Sequence, residues 1–103
     1  MITHSLFFRL KYPIGSPEEH TFFNALAKLS TISGVENFTI LKQISQKNEF
    51  DYGLNIEFEN QEAFQTFHQN PHHALFFKIY WPDFVEDCME LDFEKADLVD
   101  IPN

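Results

Sequence analysis

The amino-acid sequence predicts an α+β fold in which a four-stranded antiparallel sheet carries helices on one face. Four segments have the alternation of apolar and polar residues that is typical of strands. Signals for a helix start follow the first strand and the third strand, so the order is strand, helix, strand, strand, helices, strand. This order suits the ferredoxin-like plan. A length of 103 residues indicates one domain.

The first strand is predicted over residues 2–11, where apolar residues alternate with polar ones and His4 falls on the apolar face. A helix follows, because Ser16 can serve as its N-cap and Glu19 can complete a capping box. Apolar residues at close to helical spacing form the buried stripe of this helix. We expect it to end near Gly34, since glycine accommodates the left-handed backbone that often ends a helix.

The middle of the chain is predicted to form the second and third strands. Residues 35–45 make the second strand, with Phe38, Ile40 and Ile44 facing the core. A polar turn separates it from residues 52–58, which have the cleanest alternation in the chain.

Two asparagines mark the starts of the helices that follow. Asn60 can cap a short helix, and Asn70 can cap the next one, in which Pro71 is preset for the first turn. We expect Pro82 to end or kink this helix around Trp81, because proline lacks a backbone N–H and its ring clashes with the preceding turn.

The last strand is predicted from the alternation of Met89, Leu91 and Phe93. No internal repeat or low-complexity segment divides the chain. We therefore place the domain at residues 1–94 and expect residues 95–103 to form a loose acidic tail.

The helices can cover only one side of the predicted sheet. The open side is expected to carry a set of residues that is too apolar for full exposure: Phe7, Thr39, Leu41, Asn55 and Cys88. Charged residues of both signs are placed on the same side: Arg9, Lys11, Glu57, Glu59, Glu90 and Asp92. Packing against a second copy would bury this side, so we expect a homodimer with a two-fold interface at the open sheet face.

Composition excludes several classes of partner. A net charge of −9 argues against nucleic acid and anionic membranes, since the sequence has no basic stripe. No apolar run approaches transmembrane length, and the N-terminal residues lack a signal-peptide pattern. The single cysteine excludes an internal disulfide and fits a reducing compartment. We therefore expect a soluble cytoplasmic protein.

Two histidines are the candidate catalytic residues. His73 falls in the first turn of the helix that Asn70 caps, and His4 lies on the core face of the first strand. Histidine is the side chain most easily poised for proton transfer near neutral pH, so His73 could act as general base and His4 as an orienting group. The alternative is structural, with each ring satisfied by a partner within the fold. His72 is expected to face solvent.

No metal and no cofactor are expected. The histidines lack the i, i+4 pairing and the Cys/His clustering that are typical of transition-metal sites. The 13 phenylalanines could form a thick core, an apolar pocket or a dimer interface. Aromatic side chains between sheet and helices are the candidate pocket lining, with core packing as the alternative: Tyr52, Phe64, Phe67, Phe76, Tyr80 and Trp81.

Four segments of the chain carry a family resemblance. They are the opening Met-Ile-x-His-x-x-x-Phe-x-Leu-Lys (residues 1–11), Ser-Gly-Val-Glu-Asn-Phe (33–38), Asp-Tyr-Gly-Leu followed by Glu-Phe-Glu (51–59), and Pro-His-His (71–73). In this order they resemble the stress-responsive α/β-barrel (Dabb) family over roughly residues 1–94. The resemblance implies a homodimer in which two sheets pack into a barrel with the helices outside.

One branch of this family, the olivetolic acid cyclase type, closes a polyketide chain by an intramolecular aldol condensation. The resemblance implies that His73 corresponds to the base of that branch and His4 to a histidine beside it. Two tyrosines of that pocket fall on Phe67 and Leu26, neither of which has a hydroxyl. Leu26 thereby joins the candidate pocket lining.

Two functional hypotheses follow. The first is a dimeric Dabb protein that binds a small apolar or aromatic molecule, or only stabilises an assembly, without turnover. The second is a cofactor-free lyase or polyketide cyclase with His73 as its base. The missing tyrosine at Phe67 favours the first hypothesis, because a fold transfers between relatives more readily than a reaction does.

Overall fold

The computed structural model describes residues 1–97 and contains four strands and four α-helices. The elements are β1 (Ile2–Leu10), α1 (Pro17–Ala27), β2 (Glu36–Lys42), β3 (Tyr52–Phe58), α2 (Gln61–Gln69), α3 (Pro71–Leu75), α4 (Trp81–Phe84) and β4 (Val85–Glu94). A short 3₁₀ turn (Lys28–Thr31) follows α1, and one π-helical turn (Phe76–Tyr80) joins α3 to α4.

The strands form one antiparallel sheet in the order β2-β3-β1-β4. The predicted fold class is therefore confirmed: a ferredoxin-like sheet with helices on one face. The central strand β1 places His4 opposite Ile56 of β3 and opposite Asp92 of β4. Residues directly opposite each other share a face of the sheet, so these three side chains lie on the same side.

A single hydrophobic core fills the space between sheet and helices. It contains the even-numbered residues of β1 and β3 and the buried stripe of α1, joined by residues of α2 and the π-helical turn. Its largest fully buried side chains are Phe8, Phe22, Phe58 and Phe67. Many of the phenylalanines therefore serve the core rather than a pocket.

The predicted helix starts are confirmed. The Ser16 hydroxyl accepts a hydrogen bond from the Glu19 N–H at 3.2 Å, and the Asn60 side chain accepts one from the Ala63 N–H at 2.9 Å. The side chain of Asn70 accepts from the His72 N–H at 2.8 Å. Each bond satisfies an N–H that has no partner within its own helix.

Pro82 perturbs its helix as predicted, but the helix does not stop at Trp81. The N–H of Trp81 bonds to the carbonyl of Phe76, five residues earlier, and the helical backbone then continues to Phe84. The wider π-helical turn relieves the clash that a proline ring makes with the preceding turn of an ordinary helix.

The predicted facing of β4 is wrong. Cys88, Glu90 and Asp92 lie on the helix side of the sheet, and the open face instead carries the three apolar residues of this strand: Met89, Leu91 and Phe93. A bulge at Glu86 shifts the register between β1 and β4, so that Arg9 lies opposite Asp87. Strand alternation indicates which residues share a face, but it does not indicate which face the helices cover.

Two further expectations differ from the structure. The second strand ends at Lys42, and Ile44 is 92% exposed instead of facing the core. The Arg9 guanidinium forms ion pairs with Glu49 and Glu86, both at 3.0 Å, and with none of the four carboxylates that were expected on its side of the sheet. Of the predicted acidic tail, residues 95–97 have no regular structure, and the remainder lies outside the described residues.

The open face of the sheet carries a group of exposed apolar side chains. Its large apolar side chains at positions 41, 89, 91 and 93 are 38–50% exposed. Within residues 1–97, no helix is long and apolar enough to cross a membrane.

Candidate functional site

Three histidines from three elements form a row between the sheet and the helices. The ring centres of His4 (β1) and His68 (α2) are 5.2 Å apart, and those of His68 and His73 (α3) are 4.9 Å apart. The structure therefore brings the two predicted catalytic residues to one place, with a third histidine between them. We refer to these residues as the histidine row.

The His4 ring is held by a carboxylate of the edge strand β4. Only 2% of His4 is exposed, and its Nδ1 lies 2.5 Å from Oδ1 of Asp92. Since an ionised carboxylate can only accept, neutral His4 carries its proton on Nδ1 and keeps its lone pair on Nε2. Glu90 approaches the same nitrogen at 3.6 Å. These acidic partners were missed because both were expected on the open face.

His68 is fixed in a similar way by its own helix. Its Nδ1 lies 3.0 Å from the backbone carbonyl oxygen of Phe64, to which it donates a hydrogen bond. Phe64, Phe67 and His68 follow the i, i+3, i+4 spacing of a buried helix face. That spacing could have identified His68 from the sequence.

His73 is half-buried between two phenylalanine rings. Its ring centre lies 4.7 Å from that of Phe67 and 4.6 Å from that of Phe77. Its Nδ1 is buried and has no hydrogen-bond partner among the described residues. The pKa of His73 is lowered to about 4, mainly by burial and also by the nearby rings of His68 and His4, while a hydrogen bond with the backbone of His68 partly opposes the change. The ring is therefore neutral near pH 7.

A cleft of about 380 Å³ opens between the sheet and α2 beside His4, and we call it the α2 cleft. It is lined by Ile2, Gln61, Phe64, Asp92, Phe93 and Glu94. Phe64 lies 5.3 Å from the His4 ring, centre to centre, and Asp92 is the carboxylate that holds that ring. A molecule in this cleft would thus lie next to the outer end of the histidine row.

The predicted lining residues do not share one cavity. Phe64 lines the α2 cleft, whereas Phe76 and Tyr80 line a groove on the outer side of the helices. Leu26 and Phe67 are fully buried in the core. The remaining two pack elsewhere: the Tyr52 hydroxyl donates to Glu19 at 2.7 Å, and the Trp81 ring lies 4.9 Å from that of Phe77.

One group of described residues has the composition of a metal site. His4, His68 and Glu90 each offer a ligand atom, and these atoms lie within 4.8 Å of one another. Ligands of a tetrahedral zinc ion, each at about 2.0–2.2 Å from the metal, lie closer together than this. The Nδ1 atom of His4 is already hydrogen-bonded to Asp92. The expectation of no metal stays a prediction.

Known proteins place this fold in a family. The family described as the stress responsive A/B barrel domain matches residues 2–95. A Dabb family protein with a ferredoxin-like fold from Mesorhizobium loti is 35% identical, with 93% of this chain and 97% of that chain covered and a TM-score of 0.89. No curated protein matches the sequence.

Two more distant structures have the same fold. A dimeric ferredoxin-like protein of unknown function from Thermobifida fusca is 19% identical, with a TM-score of 0.73 over 89% of this chain and 88% of that chain. A hydroxynitrile lyase from Passiflora edulis is 16% identical, with a TM-score of 0.78 over 89% and 90% of the two chains. The match over residues 2–95 and the 35% identical relative establish that the chain belongs to the stress-responsive A/B barrel (Dabb) family.

Proposed function

We propose that the chain forms a homodimer and binds a small apolar or aromatic molecule, one that carries a hydroxyl group, in the α2 cleft. One observation carries the proposal: the cleft joins an aromatic wall at Phe64 to the hydrogen-bonded pair of His4 and Asp92. A ligand with an apolar body and one hydroxyl matches both parts.

The dimensions and chemistry of the cleft support this ligand class. A volume of about 380 Å³ lies within the range of small-molecule sites, which is about 300–1,000 Å³. Ile2, Phe64 and Phe93 offer apolar surface. Asp92 uses one oxygen for His4, so its other oxygen can accept a hydrogen bond from a ligand hydroxyl.

The open sheet face supports the homodimer. It carries Leu41, Met89, Leu91 and Phe93 as exposed apolar side chains, and a second copy would remove them from water. Two proteins of the same fold are described as dimeric. Phe93 belongs both to this face and to the α2 cleft, so dimer formation would order one wall of the ligand site.

A second candidate function is lyase or cyclase chemistry without a cofactor. In it His73, whose ring is neutral near pH 7 and whose buried Nδ1 has no hydrogen-bond partner among the described residues, would accept a proton from the substrate while His4 orients the substrate. His73 lines neither the α2 cleft nor the groove on the outer side of the helices, so a substrate would need another path to this ring. A protein of this fold is described as a hydroxynitrile lyase. However, a histidine with a pKa of about 4 is a weak base. Binding without turnover is therefore the better-supported function.

Isothermal titration calorimetry with 2-naphthol tests the binding site. We expect saturable binding to the wild type and a several-fold weaker affinity for Asp92→Asn, because the amide accepts less strongly than a carboxylate. The matched control is Asp83→Asn, which changes an exposed carboxylate of α4. No binding by the wild type, or equal affinity in both variants, would contradict the proposal.

Turnover is tested separately with mandelonitrile. A base that removes its hydroxyl proton would break the bond to the nitrile carbon and yield benzaldehyde and hydrogen cyanide, and the benzaldehyde is followed by absorbance. The lyase candidate requires release above the spontaneous rate in the wild type, and loss of that release in His73→Ala at little cost in stability. A rate that is unchanged in His73→Ala would exclude His73 as the base. A rate that equals the spontaneous one would leave the wild type with no lyase activity toward this substrate.

A further inference from the structure

A second cavity lies on the outer side of the helices, and no function has yet been attached to it. It has a volume of about 400 Å³ and runs between α1 with its following 3₁₀ turn and α3 with the π-helical turn. We call it the α1–α3 groove. Leu29, Ile32 and Phe76 form a floor that is almost completely buried. The groove is thus an apolar cavity that is open to solvent on one side.

Among the described residues, one formally charged side chain lines this groove, and it is basic. Lys28 and His72 line it, and no carboxylate does so among the described residues. That is unusual in a chain with 16 acidic and 7 basic residues. Lys28 also forms no ion pair and no side-chain hydrogen bond within residues 1–97. An apolar floor with unpaired basic groups at its margin matches a ligand that has an apolar body and a negative charge.

The two adjacent histidines of α3 serve different sides of the helix layer. His73 points inward to the histidine row, whereas His72 lies at the α1–α3 groove. Successive residues of a helix are about 100° apart around its axis, so the two rings leave α3 in different directions. The α1–α3 groove is therefore separate from the α2 cleft, and the open sheet face lies on the opposite side of the sheet.

We propose that the α1–α3 groove binds a small apolar carboxylate. Its hydrocarbon part lies on Leu29, Ile32 and Phe76, and its carboxylate lies at the margin beside Lys28 and His72. This inference does not depend on the proposed function of the α2 cleft, because the two cavities have no lining residue in common.

Octanoate is the probe, and 1-octanol is its uncharged counterpart. Calorimetry measures their affinities, and ¹H–¹⁵N NMR spectra locate them through amide shifts. We expect octanoate to bind saturably, with shifts confined to α1, the 3₁₀ turn, α3 and the π-helical turn. 1-Octanol should bind about fivefold more weakly, which is the upper end for an ion pair at a solvent-exposed site.

Two pairs of variants separate shape from charge. Ala25→Phe fills the groove and should abolish binding of octanoate, whereas Ala27→Phe lies on an exposed part of the same helix and should not. Lys28→Met should weaken octanoate about threefold to fivefold and leave 1-octanol unchanged. Lys78→Met, a charge change outside the groove, should change neither affinity.

Several results would overturn the inference. Two of them are the absence of octanoate binding to the wild type, and amide shifts that are centred on the α2 cleft or spread over the surface. Two more are equal affinity for octanoate and 1-octanol, and equal effects of the two lysine substitutions. A folded Ala25→Phe variant that still binds octanoate with wild-type affinity would equally contradict it.

Discussion

Acidification should destabilise the fold through His73. Above pH 6.5 this ring is neutral in both the folded and the unfolded chain, so its contribution to stability does not depend on pH there. Between pH 6.5 and about 4 the unfolded chain binds a proton that the folded chain does not, because burial lowers the pKa of His73 to about 4. The free energy of unfolding therefore falls across this range.

The size of the loss follows from the change in pKa. One pKa unit corresponds to about 1.4 kcal/mol, so a change from 6.5 to about 4 would give about 3.4 kcal/mol for a fully buried ring. His73 is only half-buried, and water screens part of this cost. We expect a loss of about 1–2 kcal/mol after that reduction.

Urea unfolding of the wild type and of a His73 variant, compared at fixed protein concentration, separates the effect of His73 from that of other titrating groups. The free energy of unfolding is measured near neutral pH and at about pH 4.5 for the wild type and for His73→Gln. The pH-dependent loss should be about 1–2 kcal/mol smaller in the variant. His72→Gln, which alters an exposed ring on the same helix, should lose as much as the wild type. Equal losses in all three proteins, or a His73 ring that titrates near 6.5 by NMR, would refute the reasoning.

Three further predictions concern the carboxylate of the site, the open face and a helix cap. Asp92→Ala should lower the free energy of unfolding by about 1–3 kcal/mol, because it removes the carboxylate that is hydrogen-bonded to the buried Nδ1 of His4. The control Asp83→Ala should lower it by less than about 0.5 kcal/mol. Leu91→Asp should convert the proposed dimer to a monomer in analytical ultracentrifugation. Ile79→Asp, an exposed apolar position on the helix layer, should not, and a dimeric Leu91→Asp would contradict the proposed interface. Ser16→Ala should cost about 1 kcal/mol in urea unfolding through loss of the N-cap of α1, and an unchanged midpoint would show that this cap contributes nothing.

Local signals in the sequence predicted the elements well. Ser16, Asn60 and Asn70 each cap the helix that they were expected to cap, because the capping hydrogen bond spans only two or three residues. Strand patterns placed β1 and β3 within one residue of their observed bounds. These features depend on neighbours in the chain, and the sequence displays such neighbours directly.

Features that depend on distant contacts were not accessible from the sequence. Alternation alone could not place Asp92 beside His4, because the bulge at Glu86 and the covered face of β4 are set by the packing of the whole domain. His68 was missed although its spacing from Phe64 was visible, since its meaning depends on where α2 docks. His4 and His73 were candidates from the sequence alone, and the structure adds the groups that surround them.

The crystal structure of the protein with 2-naphthol tests the central claim most directly. The proposal predicts the naphthalene ring in the α2 cleft against Phe64 and Phe93, with its hydroxyl within hydrogen-bond distance, about 2.5–3.0 Å, of Asp92. It also predicts that a second copy covers the open sheet face. An empty α2 cleft in crystals that bind 2-naphthol elsewhere would contradict the account.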